Sequence, residues 1–599
     1  MKKKNLIYCL IGLLALSSCD DMFEPAKENT RTLEKLSKEA NYAYGLLIYG
    51  YNRLPYMRTS TTDIATDDAA TNVKNDTYKN MAQGAWSYDN NPMSQWNSCK
   101  DGIQYVNLFL TIVDKVQWAP SAASKQQMYI DRMTGEALGL RAILYYHLLQ
   151  AHAGYADDGV LYGVPLLTEP EDGSSDYNQP RAPFADCVKQ IFADCDQAAK
   201  LLPAQYKEIS SEEEIPQKYQ KLGAQLAGYN LVFGNMARNL VSGKVVQAVK
   251  AQTALLAASP AFRDQSGITS EDAAKICADV LKDVEFDEKG NIWYKDADKL
   301  ESSNSIMPEI LWRDNREKAD ASQESDNFPP SLFGGGKINP SQNLVDAFPM
   351  ANGYPISDSR SGFDAENPYA NRDPRLSDDV IFNETKFKGV VIVTGKYDTP
   401  TEKKSNEDNI NNPTTNATIT GYYLKKLLRD DAGPTATSGA ALTQPHIFPR
   451  IRYTELFLAY AEAANDAWGP KVDGAGLGLS AYDVIKMIRL RAGVGVDNGD
   501  PYLEECAGDQ TKMRDLIRNE RRIELCFENK RFWDMRRWLL PLDESVEGME
   551  ITKGDDDKLT YTRIFVESRD YDNSYQCYGP IPQGEVLLWS NLKQNKGWK

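Results

Sequence analysis

The spacing of apolar positions along the chain predicts a protein built mainly from amphipathic helices. In residues 127–152, apolar side chains recur every three or four positions and form one continuous stripe. The same spacing predicts helices over residues 33–53, 183–202, 217–242, 243–258, 453–468 and 481–492, and a further helix that begins near Gln104. Small residues in the 243–258 helix permit close approach, so helix pairs similar to tetratricopeptide repeats are expected, although no strict period of about 34 residues is present.

The helical pattern is interrupted between residues 264 and 444, which are rich in proline, glycine, asparagine and aspartate. Only brief elements are predicted there, such as a strand at residues 390–393. Loop-rich segments on a rigid scaffold commonly carry binding groups. Residues 334–337 resemble a phosphate-binding loop, but Ile338 stands where that motif needs serine or threonine, and Ser331 where it needs its first glycine. A phosphate loop is therefore excluded.

These shifts in pattern divide the chain into four segments of one compact unit. Residues 1–18 are a removable leader, 19–263 an N-terminal helical part, 264–444 a loop-rich, ligand-binding insertion, and 445–599 a C-terminal helical part that packs on the same body. No Gly/Ser-rich or Pro-rich linker separates two complete patterns, so one large body is favoured over several domains. Residues 578–598 are expected to be extended.

The N-terminus has the features of a lipoprotein leader. Lys2, Lys3 and Lys4 precede an apolar run over residues 6–16, which is shorter than the roughly 20 residues that span a bilayer. The sequence Leu-Ser-Ser-Cys at residues 16–19 then matches a lipobox, after which Cys19 would carry acyl chains. Several acyl chains hold a protein firmly at a membrane. An ordinary secretory leader with a chance cysteine is the alternative.

Composition excludes several classes of function. The formal charge of −17 disfavours nucleic acid as a ligand. The nine cysteines include no C-x-x-C pair, which argues against a zinc site or a disulfide framework. His147 and His152 are five residues apart, and His446 is the remaining histidine, so a histidine metal site is not expected. No metal or cofactor is predicted.

One segment, residues 513–540, combines an apolar helical face with many charges. Carboxylates lie every four residues along the edge of that face, with arginines interleaved. The apolar positions are Leu516, Ile517, Ile523 and Phe527, the carboxylates Glu520, Glu524 and Glu528, and the neighbouring arginines Arg518, Arg521 and Arg522. An unpaired buried charge is costly, and arginine meets a carboxylate with two parallel hydrogen bonds. We therefore interpret the segment as a structural ion-pair core, with a break between two helices at Asn529 and Lys530.

Nucleic-acid binding and a catalytic carboxylate pair are two other interpretations of this segment. Its arginines would suit nucleic acid, but acids are interleaved with them and the whole chain is acidic. A pair of its carboxylates would suit catalysis. Glutamates at i and i+4 beside arginine are more often structural, and we favour that interpretation.

The run RNERRIELCFENKRFWDMRRW, residues 518–538, closely resembles the C-terminal signature of the SusD/RagB family, the surface nutrient-binding lipoproteins of Bacteroidetes. Further family-like runs follow the family's order, among them GEALGLRAILYYHLLQAHAG, RYTELFLAYAEAAN and PIPQGEVLLWSNLKQNKGW. Asn529 departs from the pattern, because members often have glycine there, but asparagine tolerates the same left-handed turn.

The resemblance implies a mainly α fold, a right-handed superhelix of tetratricopeptide-like helix pairs with a large irregular insertion. It also implies a non-catalytic lipoprotein on the outside of the outer membrane, which captures oligosaccharides. The implied partner is a SusC-like TonB-dependent transporter, over which the lipoprotein sits like a lid.

A glycan site needs exposed aromatic rings for the C–H faces of sugars and polar groups for their hydroxyls. Residues 84–97 mix both in a turn-rich segment, where Trp86, Tyr88 and Asn91 resemble the family's aromatic arc. Trp96 lies nearer the following helix and is assigned to the core. In the insertion, Trp312, Arg313 and Asp314 are the weaker candidates.

Two further functions stay open. Some relatives resemble peptide importers, so the ligand would then be a peptide. A lipid-anchored glycoside hydrolase is the other alternative, although no G-x-S-x-G or H-E-x-x-H motif supports it.

The lipobox yields a direct prediction. Cys19→Ala removes the acyl acceptor, so the variant should leave the membrane fraction while keeping its fold. Detergent-free fractionation with circular dichroism tests this, and a folded Cys19→Ala protein that still sediments with outer membranes would show that another contact holds it.

Overall fold

The computed structural model describes residues 39–295, 307–314, 319–397, 405–436 and 440–598. The predicted leader, lipobox and Cys19 lie outside these ranges. Within them, every helix is too short or too polar to cross a bilayer.

The body is a layered stack of helices. Numbered in chain order, the helices of eight or more residues are α1 Ala40–Asn52, α2 Trp96–Leu110, α3 Ala123–His152, α4 Phe184–Leu201, α5 Leu226–Phe233, α6 Gly243–Ala258, α7 Ser270–Leu281, α8 Tyr453–Trp468, α9 Ala481–Arg491, α10 Gln510–Glu524 and α11 Arg531–Trp538. Helices α1 to α4 pack each on the next, α4 packs on α6, and α6, α7 and α8 continue the stack to α9 and α10. This arrangement confirms the mainly α prediction.

Shorter helical segments connect these layers. They are Thr61–Ala65, Thr77–Asn80, Met81–Ala85, Glu212–Glu214, Gln217–Gln220, Asn235–Ala237, Arg263–Ser266, Gly290–Lys295, Ser322–Asn327, Pro330–Leu332, Gln342–Ala347, Pro374–Asp379, Ser405–Asp408, Pro501–Cys506 and Gln583–Leu588.

The strands form two-stranded antiparallel ribbons and no larger sheet within the described ranges. The pairs are β1 Ala69–Thr71 with β6 Ile338–Pro340, β2 Gly154–Tyr155 with β3 Leu161–Tyr162, β4 Ile310–Arg313 with β14 Pro449–Arg452, β5 Ala319–Asp320 with β13 Gln444–Pro445, β7 Val380–Ile381 with β10 Tyr423–Leu424, β8 Thr385–Phe387 with β9 Val390–Ile392, β11 Gly433–Pro434 with β12 Ala441–Leu442, and β15 Val546–Lys553 with β16 Leu559–Glu567.

Local signals explain several helix boundaries. A capping box starts α7, where the Asp272 backbone N–H donates to Thr269 Oγ1 and its carboxylate accepts from the Thr269 N–H. Helix α3 is buried around most of its surface, and Gly139 permits its close packing, because a Cβ there would lie 2.6 Å from Val241 Cγ1. Close packing between helices and capping at helix ends therefore fix how the helices of the stack are positioned against one another.

Several sequence predictions were wrong in detail. The helix expected to begin near Gln104 begins at Trp96. The helix expected over residues 217–242 is broken into short pieces, since Gly223 has a φ of +73° that an α-helix does not allow. The C-terminal stretch contains a short helix, and the β15–β16 hairpin was not foreseen. Helix α7 lies in the range assigned to the insertion, yet it packs between α6 and α8.

Buried carboxylates of α10 connect the stack to the loop-rich region. Glu524 Oε1 lies 2.7 Å from Arg491 Nη2, and its Oε2 lies 3.0 Å from Arg375 Nη1. Glu520 Oε1 lies 2.7 Å from Arg489 Nη1, and its Oε2 2.9 Å from Arg375 Nη2. The predicted ion-pair network is therefore present in the core.

The partners of these carboxylates differ from the expected ones. The arginines come from α9 and the Pro374–Asp379 segment, not from α10 itself. Arg521 instead pairs with Asp534, at 2.8 Å, and Arg522 pairs with Asp67 and Asp68. Helix α10 packs on several layers of the structure at once. Its arginines therefore point towards layers other than α9 and the Pro374–Asp379 segment.

We expect Glu524→Ala to lower the free energy of unfolding by about 3–5 kcal/mol, because the variant leaves buried guanidinium groups without their carboxylate. Burial alone would raise the pKa of Glu524, but Arg491, Arg452 and Arg375 outweigh it and hold the pKa at about 2. Since this pKa lies below the unfolded value, the stabilisation is complete above about pH 4.5 and is lost as the pH falls towards 2.

Denaturant unfolding at several pH values tests this expectation. Glu213→Ala, at an exposed position, is the matched control and should change little. An unchanged free energy of unfolding in Glu524→Ala would contradict a structural role for the network.

Candidate ligand-binding pocket

A cavity of about 170 Å³ lies where the helical stack meets the loop-rich region and the α10–α11 connection. Most of its lining comes from residues 55–62 after α1, one side of α3, one side of α6, residues 446–452 around β14, and residues 527–537, and shorter stretches such as residues 92–95 add to it. Each part contributes aromatic or polar side chains. The pocket is therefore built from segments far apart in the sequence.

Aromatic rings form much of the wall. The Tyr56 ring meets the His147 ring edge-on, with centroids 5.0 Å apart. The Arg58 guanidinium lies 4.9 Å from the centre of the Phe448 ring. Trp533, from the first turn of α11, is half-buried in the lining. Flat apolar faces and polar groups thus alternate around the cavity.

Charged groups in the wall are paired with one another. Lys530 Nζ lies 2.9 Å from Glu455 Oε1, and Arg452 Nε lies 2.8 Å from Glu528 Oε2. The Arg521–Asp534 ion pair also belongs to the lining. Because these cations each lie close to an anion, the wall offers dipoles and hydrogen bonds to a ligand.

Three buried polar atoms of residues in the lining have no hydrogen-bond partner among the described residues: Tyr56 Oη, His147 Nε2 and Gln252 Oε1. Burial, reinforced by the nearby Lys530 charge, lowers the pKa of His147 to about 3, so its imidazole is neutral at physiological pH. An unpaired buried polar atom costs about 1–3 kcal/mol.

The predicted residues of the 84–97 segment lie beside the pocket and do not line it. Trp86 is only 5% exposed, and its ring packs against Phe532, Tyr571 and Trp598. Its Nε1 donates to Asn91 Oδ1, at 3.0 Å. Neighbouring rings already cover the Trp86 ring. This packing conflicts with the role expected of Trp86, which is to stack on a sugar.

Tyr88 is half-buried and its carbonyl accepts a hydrogen bond from the Gln583 N–H, at 3.1 Å. Pro92, Met93 and Gln95 of the same segment do line the cavity. Trp96 is buried at the start of α2, which confirms its assignment to the core.

Trp312, Arg313 and Asp314 lie one layer behind the wall, at β4. Trp312 is 2% exposed, donates from Nε1 to the Asn239 carbonyl at 2.9 Å, and packs edge-on against Tyr56. Arg313 Nε donates to Asn239 Oδ1, at 3.2 Å. Asp314 accepts from Arg58 Nη2, at 2.7 Å. These three residues support the lining side chains, and none lies in the lining itself.

Sequence reasoning missed Tyr56, Phe448 and Trp533 as pocket residues. A usable signal was present for two of them, because Tyr56 and Phe448 each stand two positions before an arginine, outside any helical pattern. Trp533 gave no such signal, since it sits within a helical run, where an aromatic residue is usually part of the core.

His446 fixes the loop-rich side of the wall. Its Nε2 lies 3.0 Å from Glu324 Oε1, and its Nδ1 lies 2.9 Å from the Gln444 carbonyl oxygen. Both neighbours are acceptors, so both ring nitrogens must donate and the imidazole is charged. Burial lowers the pKa of His446, but the hydrogen bond and charge of Glu324 outweigh it, and the pKa is raised above its ordinary value.

The described residues contain no group of three or more histidine, cysteine, aspartate or glutamate side chains placed to hold a metal ion.

Comparison with known families gives two matches that together span most of the chain. Residues 308–598 match the model described as SusD family, and residues 23–217 match one described as starch-binding, associating with outer membrane. A SusD-like protein P2 of Formosa agariphila is 32% identical over 145 residues, a stretch that covers 24% of this chain and 24% of that relative. The alignment thus spans about a quarter of the relative's length.

Solved structures share the fold over nearly the whole chain. A SusD-like protein of Bacteroides fragilis superposes with a TM-score of 0.66 at 20% identity, covering 96% of this chain and 100% of that one. A SusD-like carbohydrate-binding protein of the same species gives 0.65 at 20% identity, covering 93% and 100%. A laminarin-binding SusD-like protein gives 0.54 at 17% identity, covering 94% and 100%. These likenesses confirm the predicted superhelical fold.

The charged state of His446 leads to a prediction of pH dependence. Its folded pKa lies above the unfolded value of about 6.5, so its stabilisation is complete below that value and is lost as the pH rises through the folded pKa. We expect His446→Gln to cost more free energy of unfolding at pH 6 than at pH 9. The charged groups that face His446 are Glu324, Asp320 and Arg429.

His152→Gln is the matched control. Burial lowers the pKa of His152 to about 3, so its imidazole stays neutral from pH 6 to pH 9 and its cost should not vary. Equal costs of His446→Gln at the two pH values would disprove the charged pair.

Proposed function

The chain belongs to the SusD/RagB family, and from that premise we propose that it is a cell-surface lipoprotein that binds oligosaccharides and delivers them to a SusC-like TonB-dependent transporter. The observation that carries the proposal is the aromatic and amide-lined pocket at the junction of the helical stack and the loop-rich region.

The pocket has the chemistry that a neutral sugar requires. The C–H face of a pyranose packs on a flat ring, a surface that Tyr56, Phe448 and Trp533 provide. Its hydroxyls both donate and accept, which suits the amide of Gln150 in the lining. The paired charges of the wall supply further hydrogen bonds to the ligand.

The location of the protein follows from two independent supports. The lipobox ending at Cys19 supplies an acyl anchor, and the family model for residues 23–217 is described as associating with outer membrane. Asp20 and Asp21 follow the cysteine, as in surface-exported lipoproteins that this chain resembles. The transporter partner and the cell-surface orientation belong to the proposal.

A binding role is favoured over hydrolysis because two carboxylates of the pocket, Glu528 and Asp534, are held as anions. Arg452 and Lys426 lower the pKa of Glu528 despite its burial, and Arg521 and Arg537 do the same for Asp534. A glycosidase needs one carboxyl group that keeps its proton near neutral pH. These two side chains are poorly suited to donate one.

We expect Tyr56→Ala and Trp533→Ala to weaken glycan binding by about 1–3 kcal/mol each, if the magnitudes of ring stacking on bases apply to sugars. Isothermal titration against laminarin, starch and a panel of other glycans, with circular dichroism as a check of folding, measures this loss.

Trp589→Ala is the matched control, because Trp589 is half-buried against Tyr177 and lies outside the pocket. Tyr88→Ala distinguishes a binding site in the pocket from one in the 84–97 segment. Loss of binding in folded Tyr88→Ala, with wild-type affinity in Trp533→Ala and Tyr56→Ala, would move the site to the 84–97 segment. Hydrolysis of a bound glycan by the purified protein would favour the enzyme alternative, and binding of peptides alone the importer alternative.

A further inference from the structure

The charges that line the pocket have a different balance from those of the whole chain. The sequence has 68 lysines and arginines against 85 aspartates and glutamates. Among the described residues, seven arginines and lysines line the pocket, against three carboxylates, which are Glu455, Glu528 and Asp534. The excess of cations is therefore a property of this site and does not follow from the composition of the chain.

Each of the three lining carboxylates has two cationic side chains within 4 Å. The pairs are Lys530 and Arg521 with Glu455 at 2.9 and 3.9 Å, Arg452 and Lys426 with Glu528 at 2.8 and 3.1 Å, and Arg521 and Arg537 with Asp534 at 2.8 and 2.7 Å. Further carboxylates that contact these cations, such as Glu309 and Glu462, are not part of the lining. In the lining itself, each anion is thus already matched by more than one cation.

Two cations of the lining are more accessible than the carboxylates with which they pair. The Arg58 side chain is 35% exposed, and its partner Asp314, which is not part of the lining, is 8% exposed. The Lys530 side chain is 24% exposed, and that of Glu455 is 6% exposed. In both pairs, the positive group is therefore the one that a ligand can reach.

Both accessible cations keep N–H groups that can donate to a ligand. Arg58 Nε and Nη2 donate to the same oxygen of Asp314, at 3.1 and 2.7 Å, and Nη1 has no hydrogen-bond partner among the described residues. Lys530 Nζ has three N–H groups and donates one of them to Glu455, at 2.9 Å. A carboxylate or sulfate that accepted the remaining bonds would also gain the attraction between opposite charges, which a neutral hydroxyl lacks.

Arg58 and Lys530 belong to adjoining stretches of the lining. The side chain of Asn529 donates from Nδ2 to the Thr59 carbonyl, at 2.8 Å. Arg58 precedes Thr59 and Lys530 follows Asn529 in the sequence, and all four residues line the pocket. The two accessible cations are therefore on the same side of the cavity.

We propose that the pocket selects acidic oligosaccharides, in which Arg58 and Lys530 bind the carboxylate of a uronic acid or a sulfate ester. The inference rests on the proposed function, since it specifies the class of glycan that is bound. The rings and the Gln150 amide serve the uncharged part of any sugar, and the cations add a preference for a sugar that carries a negative charge. Neutral glycans are then the weaker ligands of the pocket.

Matched pairs of glycans test the inference, because the two members of a pair share a backbone and differ in charge. One arm compares oligogalacturonides with their methyl esters, and the other compares laminari- and malto-oligosaccharides with their sulfated forms, each by isothermal titration at low and at high salt. We expect an acidic member to bind at least about tenfold more tightly than its neutral partner at low salt, and the difference to shrink at high salt because ions screen partly exposed charges. The arm with the larger difference identifies carboxylate or sulfate as the group that is recognised.

The net charge of −17 opposes general attraction of anions, so tighter binding of an acidic glycan would point to a local site. Binding of neutral glycans, with no acidic member bound more tightly than its partner, would overturn the inference and leave glycan binding intact. Absence of binding to every probe would instead remove the proposed function, and this inference with it.

Variants assign the preference to the two cations. Arg58→Gln and Lys530→Gln should each weaken binding of the acidic member several-fold and change that of its neutral partner by less than about twofold, whereas Arg58→Lys should keep most of the preference. Lys530→Gln keeps the test available if Arg58→Gln, which removes a partner of the buried Asp314, fails to fold by circular dichroism. Lys593→Gln is the matched control, since Lys593 is an exposed cation that pairs with Asp158 outside the pocket. Equal losses for the acidic and the neutral member in the folded variants would show that these cations serve any sugar as hydrogen-bond donors, and would overturn the inference.

Discussion

The buried carboxylates of α10 are the constraint on which the rest of the structure depends. Glu520 and Glu524 are surrounded by guanidinium groups from α9 and from the Pro374–Asp379 segment, and Arg452 of β14 joins the same cluster through Glu528 and Glu309. Several buried charges that cancel only in one arrangement leave little freedom in how these elements pack. The helical stack and the loop-rich region are therefore held in a single relative position.

The connection between α10 and α11 extends this fixed arrangement to the pocket. Phe527 and Asn529 both have positive φ, near +59° and +57°. The Asn529 side chain accepts from the backbone N–H and hydroxyl of Thr62, at 3.1 Å and 2.8 Å, and donates to the Thr59 carbonyl. Asn529 thus adopts the left-handed conformation that glycine would adopt in this turn, and it also binds the segment that carries Tyr56 and Arg58. One residue therefore holds two segments of the pocket lining together.

The sequence was sufficient where structure is decided locally. The helices Gly243–Ala258 and Tyr453–Trp468 begin and end where their apolar spacing predicts, because that spacing must face one core. It was insufficient where distant contacts decide. Trp86 in a turn-rich segment is typical of an exposed ring, and the packing of Phe532, Tyr571 and Trp598 from the C-terminal part of the chain removes it from solvent. The same holds for Glu524, whose partners no spacing within α10 can reveal.

The pocket is assembled from residues that lie between positions 55 and 537 of the chain. Its walls therefore depend on contacts of very high sequence separation, whose loop-closure entropy must be overcome before they contribute to stability. The stack from α1 to α4 is made of local contacts and can form early, whereas the binding surface can exist only after the C-terminal segment has docked. Ligand binding should accordingly be the last property to appear during folding, and a truncated or partly folded chain will retain helices without retaining a site.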